Sequence, residues 1–169
     1  MTDEIYLRKT FDLAFRAFQD GSRPFAALIV FDGHVICETL DERKCKMDPT
    51  AHPEIEAIRK FCRQFGMDQL NKAALFTNVE PCPMCAGAIF YSGLGRLIYS
   101  VSRKNFDSWV AQCRQRPRHS CVSSREIIKP NGLTRVHGPL LQEEGLTLLK
   151  HHLFPFRFEL NNKKTGTEN

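Results

Sequence analysis

Two short stretches carry residue types that could do chemistry together: His52-Pro53-Glu54 and Pro81-Cys82-Pro83-Met84-Cys85. A catalytic zinc takes three protein ligands and keeps a fourth position open for water. Cys82 and Cys85 stand three apart, so across a helix start both thiolates project to one side, and His52 can supply the third ligand. Glu54, two residues past the histidine, can reach the water in the open position without ligating the ion. If both stretches open helices, the helix dipoles point at the metal and favour anionic thiolates. A lone Cys-x-x-Cys suits a structural half-site or a redox pair equally well, and a lone His-x-Glu says little. The two halves in order, each at a predicted helix start, select one catalytic zinc per chain. Cys45, in the loop before His52, is the nearest candidate for a fourth ligand that would close the site. Cys37 and Cys62 fit the core, and His34, His119, His137, His151 and His152 read as surface or capping residues.

The elements that must position these residues can be read from periodicity. Leu7, Phe11, Ala14, Phe15 and Phe18 give one apolar stripe and predict a helix over 4–19. Phe25 to Phe31 is a nearly continuous apolar run, as in a strand buried on both faces. Asp32-Gly33 is a hairpin turn signal, with Val35-Ile36-Cys37 returning. Residues 41–50 read as a polar loop. Pro53 suits a first helical turn, and Ile55, Ile58, Phe61, Cys62 and Phe65 continue that helix to Gly66. Residues 73–77 form the third predicted strand, a helix starts at Pro83 and runs through Phe90, and 96–101 form the fourth strand. Beyond Ser102 the pattern predicts a short helix over 107–113, a basic loop, a strand over 133–136 and a helix over 141–151. Strands alternating with helices predict an α/β sandwich with parallel strands.

The chain has 169 residues, enough for one domain with a sizeable core and no disulfide staples. We expect that domain to cover residues 1–160, with the polar segment 161–169 a disordered tail. Seven cysteines, an odd number, argue for free thiols rather than a disulfide framework. The acidic start Met1-Thr2-Asp3-Glu4 does not read as a secretory signal and no apolar run reaches a membrane span, so the cytoplasm is expected and no membrane. The net charge of +5 concentrates between Arg103 and Arg135, which reads as a solvated loop or as an anion-facing surface. The run Phe154-Pro155-Phe156-Arg157-Phe158 reads first as packing on the core, with covering the pocket or stacking on bases as the alternatives.

H-x-E followed by P-C-x-x-C is the signature of zinc nucleobase deaminases. On Asp48 to Ile55 and Glu80 to Ile89 the chain resembles the cytidine-deaminase superfamily, and within it the bacterial guanine deaminases and the tRNA adenosine deaminases. The resemblance covers about residues 4–101. It implies a three-layer α/β/α sandwich with a central mixed five-stranded sheet, a Zn2+ ion in each subunit, Glu54 as catalytic acid and base, and a homodimer. It also implies hydrolytic deamination, either of a free nucleobase or nucleoside, a purine such as guanine first, or of adenosine in tRNA. A non-catalytic partner subunit is the third alternative, and retention of Glu54 speaks against it. By the same resemblance Phe25, Asp41, Ala51 and Pro81 line the substrate site. The chain departs from these relatives at Pro53, where Ala is usual, at Ala26, where Gly is usual, and at Asp41, where Asn is usual. Residues 104–140 match neither group closely. An ionised Asp only accepts hydrogen bonds, so Asp41 facing a substrate would demand donors from it, whereas Asp41 turned outward would pair with Arg43 or Lys44.

Overall fold

The computed structural model describes residues 2–114 and 122–153. Helix α1, Asp3–Gln19, leads into β1, Ala26–Phe31, and β2, His34–Leu40. The predicted Asp-Gly turn joins these strands, with Asp32 at φ 48° and Gly33 at φ 76°. Two successive positive φ values are what a two-residue hairpin turn requires. Four residues of the expected polar loop coil into α2, Arg43–Lys46. Then come α3, Pro53–Phe65, a 3-10 stretch at Met67–Lys72, β3, Ala74–Val79, α4, Pro83–Ser92, and β4, Arg96–Val101. The C-terminal part holds α5, Arg103–Arg114, α6, Ser124–Ile128, β5, Arg135–His137, and α7, Gln142–Leu153.

The five strands form one mixed sheet in the order β2-β1-β3-β4-β5. β1 is antiparallel to both neighbours, while β3, β4 and β5 run parallel. Alternation along the strands divides the core between two faces. Ala27, Ile29, Leu75 and Leu97 pack against Ala57 and Phe61 of α3, Ala86 and Ile89 of α4, and Ile128 of α6. Ala26, Leu28, Phe76 and Ile98 face Tyr6, Leu7, Leu13 and Ala14 of α1 on the other side. A third cluster of Val79, Val101, Phe106 and Leu149 ties α5 and α7 to the strand ends. The result is the expected three-layer α/β/α sandwich around a mixed five-stranded sheet. Gly95 is where the backbone comes closest: a Cβ there would lie 2.1 Å from the Asn71 carbonyl oxygen.

Several boundaries differ from the sequence reading. β3 continues past Thr77 to Val79 because the Asn78 side chain accepts from Ala26 N at 3.0 Å and donates to Pro24 O at 2.9 Å, replacing what a buried polar residue would lose. α5 begins at Arg103 rather than at residue 107. α6 was not anticipated inside the basic segment, although Ser123 and Glu126 form a complete capping box at its start. The tail 161–169, the Phe154–Phe158 run and His119 lie outside the described residues.

Candidate metal centre and catalytic site

β3 is parallel to β4, and each strand hands the chain to a new element at the same edge of the sheet. The segment after β3 delivers Cys82 as the N-cap of α4, with Pro83 in its first turn. His52 takes the same place on α3, with Pro53 in its first turn. Both caps have extended backbone, at ψ 150° for His52 and 167° for Cys82, so their side chains swing across the helix mouths. Pro53 fits because the first-turn N–H it lacks has no helical acceptor in any case.

The three sequence-predicted ligands come together. His52 Nδ1 lies 3.7 Å from Cys82 Sγ and 3.5 Å from Cys85 Sγ, and the two sulfurs are 3.6 Å apart. A tetrahedral zinc with Zn–S near 2.3 Å and Zn–N near 2.0 Å sets its ligand atoms about 3.8 Å apart for two sulfurs and about 3.6 Å for sulfur and nitrogen. The donor set therefore fits that ion in both chemistry and span, and among the described residues no fourth His, Cys, Asp or Glu joins the cluster. Cys45 is exposed and directs its thiol to the Glu42 carbonyl at 3.2 Å. Cys37 and Cys62 are half-buried against the core, as expected.

Glu54 is buried at 7% exposure. Its Oε2 accepts from Cys85 Sγ at 3.4 Å, and its Oε1 lies 3.5 Å from the Thr77 hydroxyl, which is nearer, at 3.2 Å, to the carbonyls of Ala26 and Val79. Burial pushes this carboxyl above the usual range, opposed by its own backbone N–H, by His52 and by Arg103, and reinforced by Cys82. A carboxyl raised in this way holds a proton more readily than an exposed one, as a group that carries protons must. The Cys82 thiol is pulled down to about 3, first by the hydrogen bond it shares with Cys85 and then, against burial, by His52. Cys85 is pushed up in turn by the same hydrogen bond and by its burial.

Of the other expected site residues, Ala51 and Pro81 adjoin His52 and Cys82 in the chain. Ala51 is fully buried, and its carbonyl accepts from Glu42 N at 3.2 Å. Pro81 is buried beside Cys82. Phe25 packs edge-on to Phe106, with ring centroids 5.6 Å apart, and its carbonyl accepts from Asp41 N. Asp41 is buried yet paired with Arg43, whose Nε lies 2.9 and 3.0 Å from its two oxygens and whose Nη2 also reaches Oδ2. The donor that a buried carboxylate needs is thus supplied within the chain.

Sequence reasoning missed Glu80 and Arg103. Glu80 Oε1 accepts from Ser123 Oγ at 2.7 Å and from Ser124 N and Oγ at 2.8 Å each, and Oε2 accepts from Arg103 N at 2.7 Å. Arg103 in turn donates through Nη2 to the Glu80 carbonyl at 2.5 Å and lies over the Phe106 ring. Arg125 donates to the carbonyls of Val136 and Gly138. At least these two members of the basic segment therefore hold the fold together instead of forming a free cationic loop. The only signal in the sequence was an acidic residue directly before Pro81.

A mixed sheet between helix layers, with a His-Cys-Cys cluster and a buried acid at two helix mouths, defines a cytidine-deaminase-like protein. The chain belongs to the MafB19-like deaminase family, which residues 1–142 match. Members of this group are deaminases, hydrolases that act on C–N bonds. The chain is 41% identical over 102 residues to the guanine deaminase of Bacillus subtilis strain 168, an overlap of 60% of this chain and 65% of that one. The match thus spans under two thirds of that relative's length. It is 30% identical over 145 residues to the probable cytosine deaminase of Schizosaccharomyces pombe, covering 85% and 88% of the two chains. A solved structure from work on A-to-I editing by tRNA:A34 deaminases superposes with a TM-score of 0.57 at 30% identity, over 70% of this chain and 95% of the other.

Proposed function

We propose that this protein is a zinc-dependent hydrolase that deaminates a free nucleobase or nucleoside, with a guanine-type purine as first choice. The observation that carries the reading is the His52, Cys82 and Cys85 triangle, 3.5–3.7 Å on a side, with the buried Glu54 carboxyl 3.4 Å from one of its corners. When bound, the ion lowers the pKa of a water at its open position toward about 7. Glu54 takes a proton from that water and passes it to a ring nitrogen of the base. The water oxygen bonds to the amine-bearing carbon. Glu54 then takes the remaining proton of the added hydroxyl and hands it to the amine, the C–N bond breaks, and ammonia leaves as a carbonyl forms.

The likeness to guanine deaminase supports a purine substrate, and the engagement of Arg103 and Arg125 within the fold leaves fewer cations for a tRNA backbone. The proposal includes assembly as a homodimer, supported by the exposure of Met84 and Tyr91 on α4. It includes a cytoplasmic location, supported by a dithiol ligand pair that a reducing compartment preserves. The test is ammonia release from guanine, guanosine, cytosine, adenosine and an unmodified tRNA by zinc-loaded protein. Turnover of guanine is expected. Release from tRNA alone would replace this reading with adenosine editing, and release from none would remove the catalytic one.

A further inference from the structure

Asp41 and Arg43 form a fixed unit beside the candidate centre. The Asp41 side chain is only 4% exposed, and it accepts from Arg43 through the backbone N–H at 3.2 Å and through the guanidinium. Asp41 N is tied to the carbonyl of Phe25, and Glu42 N to that of Ala51, the residue before His52. The pair is therefore anchored to the same backbone that presents His52. A guanidinium has five N–H donors and no acceptor. Asp41 engages Nε and one side of Nη2, and among the described residues nothing else accepts from the remaining donors.

We propose that Arg43, held in place by Asp41, is a specificity residue that grips the carbonyl and adjacent ring nitrogen of a 6-oxopurine. The inference rests on the deaminase reading above and names its substrate class. Where an Asn could both donate and accept, this chain offers a rigid, donor-only fork. Arginine binds the O6 and N7 acceptors of guanine side by side, whereas adenine presents an N7 acceptor next to an amino donor that a guanidinium repels. A site built on such donors rejects a ring that lacks the matching acceptor, because the buried donor is left unpaired. In this arrangement Asp41 acts through Arg43 as a positioning residue.

The experiment is calorimetric binding of hypoxanthine, which keeps O6 and N7, and of purine, which lacks O6, to zinc-loaded wild type, Arg43→Ala and Arg43→Lys, with Tm and zinc content as controls. Wild type should prefer hypoxanthine. In Arg43→Ala hypoxanthine affinity should fall about 10- to 100-fold while purine affinity stays within about 3-fold, in line with the worth of one bidentate pair. Arg43→Lys should not restore the preference, because the fork and not the charge makes it. Asp41→Asn should weaken hypoxanthine binding less than Arg43→Ala does. Equal losses for both ligands, or full recovery in Arg43→Lys, would overturn the proposal. Failure of wild type to turn over guanine while it still binds hypoxanthine through Arg43 would instead count against the catalytic reading alone.

Discussion

Glu54 lies close to the proposed ligands and is not one of them, and the difference is geometric. In the first turn of α3, its carboxylate lies against Cys85 and Thr77 instead of completing the His-Cys-Cys triangle. Its carboxyl is raised chiefly by burial, so it is more often protonated near neutral pH than an exposed glutamate. Glu54→Gln keeps the shape and the hydrogen-bonding span but cannot carry a proton. We expect this variant to fold, to hold its zinc, and to lose at least ~10²-fold in kcat on the best substrate. Zinc analysis beside a steady-state assay checks this, and near-normal turnover would exclude Glu54 as the proton carrier. The His-Cys-Cys cluster and this acid were legible in the sequence because each half of the motif, His52 with Glu54 and Cys82 with Cys85, is local. Arg43 was legible only as an alternative partner for Asp41, since the competition between an outward ion pair and a buried one depends on how β2 and the residues before β1 come together.

At the scale of elements, Glu80 joins three parts of the chain that the sequence keeps apart. It follows the end of β3, precedes Cys82, and binds the first residue of α5 and the first residues of α6 through one carboxylate. The strands and the two motif-bearing helices were readable, because each has an unbroken apolar period and a Pro or Gly at its limit. The 102–128 region was not, because α6 is five residues long and its stability comes from Glu80 and from its capping box more than from an apolar stripe. In Glu80→Gln an amide N–H₂ meets N–H and O–H donors at 2.7–2.8 Å, so at least one of them loses its acceptor. Breaking hydrogen bonds to a buried charged group costs about 2 kcal/mol, which for a chain of this size lowers Tm by about 4–8 °C. Thermal unfolding of the purified variant measures it, and an unchanged Tm would show that α5 and α6 are held by their apolar contacts alone.

For the whole molecule, the metal is proposed to link two helices of one layer at a single point. His52 and Cys82 are 30 residues apart in the chain and 3.7 Å apart in space, at the mouths of α3 and α4, which pack on the same face of the sheet. An ion bound to the folded arrangement and only weakly to the unfolded chain adds its binding free energy to stability. Free zinc at 1,000 times its dissociation constant contributes about 4 kcal/mol, or roughly 8–16 °C in Tm for a protein of this length. Chelation of the wild type should remove that increment, and zinc should return it. Cys85→Ser should melt at the temperature of the chelated wild type and gain nothing on adding zinc, since a serine hydroxyl does not replace a thiolate ligand. The comparison separates a metal effect from a packing effect, because Cys85 is fully buried and its replacement could weaken the core by itself. A packing effect would leave Cys85→Ser responsive to zinc and below the chelated wild type, and that pattern would remove Cys85 from the ligand set.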